Sequence, residues 1–235
     1  MRNSHSFSAA SDASSRMASF RMLTACLLAA MFVVVAPAAN AATPAESFVQ
    51  DNINKGYAIL NDSTLTPPQR SDRFRGLLLN IMDARRIALF TLGSYARGAK
   101  DSDVQDFSNA FADFVTAMLQ HDLGSNPGEI VTVTGSAVRA ADDVVVTARL
   151  TGSTHTNGAQ INMGFRVRKR ANGADALTDL QVEGVSMAMA QRSDFNAWLQ
   201  QHHGDVAGLT KELRSRAQYF RDRSVTGQED RTAAR

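Results

Sequence analysis

Apolar residues recur at helical spacing through the chain from about residue 45 to residue 122, then switch to strict alternation. Residues 45–61 predict an amphipathic helix with Val49, Ile53, Tyr57 and Leu60 along one face. Pro67-Pro68 interrupts the chain and suits the first turn of a second helix. That helix continues over 70–82, with Phe74, Leu77, Leu78 and Ile81 on one side. Asp83 is placed to cap a third helix through Ile87, Leu89, Phe90 and Leu92, which Gly98 stops. Residues 101–122 carry the strongest helical stripe: Val104, Phe107, Phe111, Phe114, Val115 and Met118. Asn126-Pro127-Gly128 ends it.

The period then falls to two. Strands are predicted over 129–138, 142–151, 160–170 and 176–184. Val144, Val146, Ala148 and Leu150 share a face of the second; Ile161, Met163, Phe165 and Val167 share a face of the third. Turn signals separate them at Ala140-Ala141-Asp142, Asn157-Gly158 and Asn172-Gly173. Two helices follow, over 194–203 with Phe195, Trp198 and Leu199, and over 206–221 with Leu209, Leu213 and Ala217. Residues 223–235 are small, polar and charged and predict a disordered tail. Helices, then strands, then helices define an α+β class: a four-stranded antiparallel meander packed against an N-terminal helical layer and two C-terminal helices.

The first 41 residues read as an export signal, and residues 42–222 as the single folded domain. Arg2, Arg16 and Arg21 lead into an uncharged apolar run over 22–36, and Ala39-Asn40-Ala41 supplies the small residues of a cleavage site, with the cut expected after Ala41. The run is shorter than the roughly 20 residues of a membrane span. Cys26 lies near its start rather than its end, which suits an ordinary signal better than a lipoprotein box. The segment holds three of the chain's 25 basic and one of its 23 acidic residues, so 22 of each remain. A balanced charge argues against nucleic acid as a partner. The one cysteine also leaves with the signal, which excludes a disulfide and thiol catalysis from the mature chain.

Candidate chemistry is sparse. His121, His155, His202 and His203 lie in no metal-ligand spacing; His202-His203 reads as a helix end that Gly204 terminates. No nucleophile elbow, metalloprotease, P-loop or dinucleotide motif is present. Asp142-Asp143 would face opposite ways on a strand and reads as a solvated turn. These residues offer no motif for a cofactor, a metal or an enzyme. The apolar sheet face of Val146, Leu150, Met163, Phe165 and Val167 would oppose Phe107, Phe111, Phe114 and Met118. Alternation alone leaves open whether these residues fill a dry core or enclose a cavity. An enzyme using polar groups inside a cavity, and an interaction module with a filled core, both remain open here.

Two blocks carry a family resemblance. One is Ala88-Leu89-Phe90-Thr91-Leu92-Gly93-Ser94-Tyr95, followed by Phe107, Phe111 and Phe114. The other is Glu183-Gly184-Val185-Ser186-Met187, followed by Arg192 to Phe195 and by Gly204 before a leucine-rich helix. Together they resemble the Mla-type periplasmic lipid-binding proteins (MlaC, or toluene-tolerance, family). The stretch from Met187 to Phe195 is closer to the hopanoid-associated, HpnM-like branch. The chain departs from the family in lacking an aromatic residue between Gly173 and Asp179.

The resemblance implies an apolar cavity between the layers and a lipid carrier without covalent chemistry. Its cargo would be a phospholipid or hopanoid, and its partners an inner-membrane ABC transporter complex and an outer-membrane lipoprotein complex. The lipid-binding residues expected on this reading are Phe90, Phe107, Phe111, Phe114, Met118, Val146, Leu150, Met163, Phe165, Val167, Val185 and Met187, with Met187 and Met189 flanking the mouth. Arg166, Arg168, Lys169 and Arg170 are candidates for anionic-lipid or partner contacts, or else a charged strand edge kept soluble.

Overall fold

The computed structural model describes residues 41–125, 128–152 and 159–233. The leader over 1–41 but for Ala41, the turn signals Asn126-Pro127 and Asn157-Gly158, and His155 lie outside the described residues. Helix α1 spans Pro44–Leu60 and α2 spans Pro67–Ile81. Helix α3, Ala84–Leu92, runs into a 3₁₀ turn over Gly93–Arg97, and α4 spans Asp101–Ser125. Five strands follow: β1 Ile130–Ala140, β2 Asp143–Thr151, β3 Ile161–Lys169, β4 Asp175–Val182 and β5 Val185–Ser186. Helices α5, Met187–Gln201, and α6, Val206–Ala233, close the unit.

The α+β class and the antiparallel meander hold, with strand order β1-β2-β3-β4-β5. The strand count changes from four to five, because Glu183 and Gly184 adopt positive φ (49° and 79°) and turn the chain back on itself. Two consecutive positive φ values mark a type I′ hairpin. Val182 then pairs with Val185 and Gln181 with Ser186. The Glu183 carboxylate fixes this turn by accepting from the Asn162 backbone N–H at 2.5 Å. The last helix also differs: its backbone continues to Ala233, into the segment expected as a tail from residue 223.

Local chemistry sets the helix starts. Thr43 caps α1 in a reciprocal box with Glu46: Glu46 N–H donates to Thr43 Oγ1 (3.2 Å) and Thr43 N–H to the Glu46 carboxylate (2.9 Å). Asp83 caps α3 by accepting from Arg86 N–H at 3.2 Å. Ser186 caps α5 by accepting from Met189 N–H at 3.1 Å. At the far end of α5, Trp198 stacks flat on His202, with centroids 3.8 Å apart.

Packing divides into separate clusters. In the helical cluster, Phe195 of α5 meets Phe107 and Phe111 of α4 edge-on at 5.8 and 6.2 Å, with Leu199, Leu209 and Leu213 buried around them. In the sheet cluster, Ala45 and Val49 of α1 lie on Val146 and Val167. A third gathers Phe74, Leu78 and Ile81 of α2. Arg170 ties α2 to the sheet by donating to the carbonyls of Asn80 (2.7 Å) and Met82 (2.9 Å).

The two sequence blocks meet in space. Arg192 donates to the Phe90 carbonyl at 3.3 Å, and Asn196 Nδ2 to the Thr91 carbonyl at 2.9 Å. Gly93 has φ of 60°, and a Cβ there would lie 3.1 Å from the Arg192 guanidinium. Glycine is therefore favoured by the backbone angle, and a Cβ would also press on the Arg192 side chain. These residues join the end of α3 to α5, so much of the recognisable pattern is framework.

The outer sheet face carries an ion-pair row. Asp143, 5% exposed, accepts from Arg166 Nε (2.9 Å) and from its second guanidinium nitrogen. Arg168 pairs with Asp142 at 2.9 Å on that face; at the end of β3, with the side-chain parity of the inner face, Lys169 pairs with Asp175 at 2.8 Å. Of the Asp142-Asp143 pair, Asp142 does lie in an exposed turn, but Asp143 opens β2 and is buried against β3, where Arg168 stands opposite it and Arg166 two register positions along. Arg166, Arg168, Lys169 and Arg170 are likewise engaged within the chain rather than presented to a ligand.

The hydrogen bonds from Arg166 hold the Asp143 carboxyl below its ordinary value of 3.8. A lowered folded-state pKa stabilises the fold above the unfolded value, and that contribution is lost as pH falls through the folded value. Asp143→Asn is therefore expected to flatten the acid limb of a pH-stability profile below 3.8. It should also cost about 1 kcal/mol near neutrality, since Arg166 is partly solvated. Urea midpoints measured across pH check both; an acid limb unchanged from wild type would contradict the assignment.

Candidate functional site

The three clusters do not close over one another. Between α1, α2, α4, the start of α5 and the inner sheet face lies a cavity of about 280 Å³, partly open to solvent. Helix α1 gives it Phe48, Ile53, Tyr57 and Leu60, and α2 gives Phe74, Leu77 and Ile81. Helix α4 contributes Phe111, Phe114 and Met118, and the sheet Met163, Phe165, Leu177 and Leu180. Met187, Ala188 and Gln191 border it from α5.

Burial shows why this is a cavity. Val146 and Val167, covered by Ala45 and Val49, are at most 2% exposed. Phe165, directly across β2 and β3 from Val146, is only half-buried, as are Met163, Met118, Phe48 and Met187. The small residues of α1 let it seat on one part of the apolar sheet face and leave the adjoining part without a partner. Interiors normally pack as densely as organic crystals, so unfilled apolar volume of this size is an exception.

The polar wall groups are mostly spent on the backbone. Asn52 Nδ2 donates to the Phe48 carbonyl at 2.7 Å. The Tyr57 hydroxyl oxygen accepts from Val131 N–H at 3.2 Å, and burial pushes its pKa up. Asp179 accepts from Ala188 N–H at 3.0 Å. Among the described residues no three His, Cys, Asp or Glu side chains could hold a metal together. Among them, too, no helix is long and apolar enough to cross a membrane.

Of the twelve residues singled out in the sequence, Phe111, Phe114, Met118, Met163, Phe165 and Met187 border the cavity. The other six lie elsewhere. Phe107 is wholly buried between Phe111 and Phe195. Val146 and Val167 lie beneath α1. Leu150 sits near the end of β2 between Val131 and Ile161. Phe90 is exposed beneath the Arg192 guanidinium, and Val185 is exposed on β5. Met189, expected at the mouth, is 57% exposed and off the wall. Sequence reasoning missed the contributions of α1 and α2, although the stripe Ile53, Tyr57, Leu60 was visible; periodicity marks a covered face without saying what covers it.

Fold and site together define an α+β protein built around an apolar cavity. The chain belongs to the MlaC protein family, whose model matches residues 50–215. Seven chains of solved structures are similar. One is the phospholipid-binding protein from Ralstonia solanacearum, solved in complex with a phospholipid. It is 18% identical, with a TM-score of 0.63 over 76% of this chain and 99% of its own. Comparison with curated protein sequences finds no match.

Proposed function

We propose that this protein is a periplasmic lipid carrier without catalytic activity. It holds the acyl chains of a phospholipid, or of a hopanoid-type lipid, in the cavity and moves them between an inner-membrane ABC transporter complex and an outer-membrane lipoprotein complex. The observation that carries the reading is the unfilled apolar cavity bordered by half-buried Phe and Met side chains. Family membership and the phospholipid bound to the Ralstonia protein support the same class of ligand.

The physics fits a carrier. Each CH₂ taken out of water contributes about 0.8 kcal/mol, so a tail in transit must stay covered. The cavity is near the small end of the ~300–1,000 Å³ range of ligand pockets. Two tails therefore require the wall to expand, which adaptable residues such as Met118, Met163 and Met187 allow. Release needs a partner that favours the expanded state.

The test is native mass spectrometry of protein purified from its own periplasm, with the lipid extracted and identified. About one lipid per chain is the expected result. Protein that carries none, and takes none up from vesicles, would sink the carrier reading. Met163→Trp narrows the cavity and should lower lipid stoichiometry about twofold or more while the fold survives, because only empty volume is filled.

A further inference from the structure

We infer that the outer faces of α3 and the start of α5 form a docking surface for an anionic lipid bilayer. Among the described residues, four of the eight exposed large hydrophobic residues, Leu89, Phe90, Val185 and Met189, lie on α3 or around the start of α5. Scattered single exposures need no explanation, but a gathered set does. Phe90 on α3 and Arg192 on α5 are in contact, the guanidinium 5.0 Å above the ring. Met189 stands one turn before Arg192 on the same side of α5, and Leu89 is next to Phe90 on α3. Val185 lies two residues before α5, next to its cap Ser186.

Three arginines, Arg85, Arg86 and Arg192, border these residues; the acidic groups nearby are Asp83, Asp194 and Glu183, whose carboxylate accepts from Asn162. Arg85 and Arg86 lie one turn before Leu89 and Phe90. Arg86 pairs with Asp83 at 3.2 Å. Among the described residues, Arg85 and Arg192 meet no carboxylate: Arg85 reaches Gln105 at 3.3 Å, and Arg192 donates to a backbone carbonyl. Asp194, two residues beyond Arg192, points about 200° around the helix from it. Exposed Leu, Phe, Val and Met bordered by arginines is the composition of an interfacial membrane surface: apolar groups enter the headgroup boundary and guanidinium groups meet phosphates.

Its position gives it a use. Ile87 of α3 and Met187, Ala188 and Gln191 of α5 border the cavity from the inner sides of the same helices. A bilayer on the outer sides would stand about one helix diameter, ~10 Å, from the cavity. Binding at this surface does not depend on cargo in the cavity.

The experiment is co-flotation of the purified protein with phosphatidylcholine vesicles, with and without phosphatidylglycerol. Wild type is expected to float with the anionic vesicles and to lose that binding at high salt. Leu89→Glu combined with Met189→Glu should weaken flotation about tenfold or more. Neither residue borders the cavity, and a glutamate at position 189 would complete a capping box with Ser186, so the variant should fold. Arg85→Glu should weaken binding to anionic vesicles alone. Lipid uptake from detergent is measured on the same samples. Protein that takes up lipid but does not float would overturn the bilayer assignment and leave the surface to a protein partner. So would flotation that the double substitution leaves unchanged. Protein that floats but takes up no lipid would instead count against the carrier reading and leave this surface standing.

Discussion

Phe165→Asp is expected to leave the protein folded and empty of lipid. Phe165 sits mid-strand on β3, paired across to Val146 and Leu180, with its ring bordering the cavity. Of the polar wall groups, Asp179 only accepts and Asn52 has spent one N–H on the Phe48 carbonyl, so a carboxylate there meets few donors beyond the Tyr57 hydroxyl. An unpaired charge in apolar surroundings costs several kcal/mol, so the cavity either admits water or expels the group toward the opening. A wet cavity forfeits the roughly 0.8 kcal/mol per CH₂ that retains a tail. Lipid per chain should fall to near zero by native mass spectrometry. The melting temperature should fall by only about 5 °C, equivalent to ~2 kcal/mol in a domain of this size. Folded Phe165→Asp protein with a full complement of lipid would remove Phe165 from the site.

Phe195→Ala should produce the reverse pattern, with the largest loss of stability and little direct effect on the wall. The ring touches both Phe107 and Phe111 in edge-to-face geometry, with interplanar angles of 89° and 90°, and it does not border the cavity. Such pairs add to the hydrophobic contribution because the positive ring edge meets a negative face. Truncating a fully buried phenylalanine costs about 3–5 kcal/mol, or roughly 10 °C in melting temperature. Calorimetry reads this directly. A loss below ~1 kcal/mol would mean that α5 does not depend on this aromatic contact. Lipid carried by the molecules that remain folded should be close to wild type. Comparing the two variants thus separates the packed side of α4 from its cavity side, with Phe111 belonging to both.

What could be read from the chain depended on how local the cause was. The starts of α2 and α3 were legible because Pro67-Pro68 and Asp83 act within one turn, whereas the Thr43 cap of α1 was not singled out. The inward faces of β2 and β3 were legible because alternation is a property of the strand itself. The division of those faces was not. Val146 and Phe165 are adjacent cross-strand partners of similar character, yet one is sealed and the other borders empty space. That outcome depends on where α1, distant in sequence, places Ala45 and Val49. Phe107 and Phe111 pose the same problem, one turn apart on a continuous stripe with only the second reaching the cavity. The basic run Arg166 to Arg170 looked available for a ligand because its partners, Asp142, Asp143, Asp175 and the carbonyls after α2, come from other elements.

The stack of Trp198 on His202 has an optical consequence. This is the protein's only indole, and it stands at the exposed end of α5, off the cavity wall. Intrinsic tryptophan emission will therefore follow the fraying of that helix end, while the arrival of a lipid tail leaves the spectrum nearly unchanged. A second indole introduced by Met163→Trp would lie inside the cavity and turn the same signal into a reporter of filling.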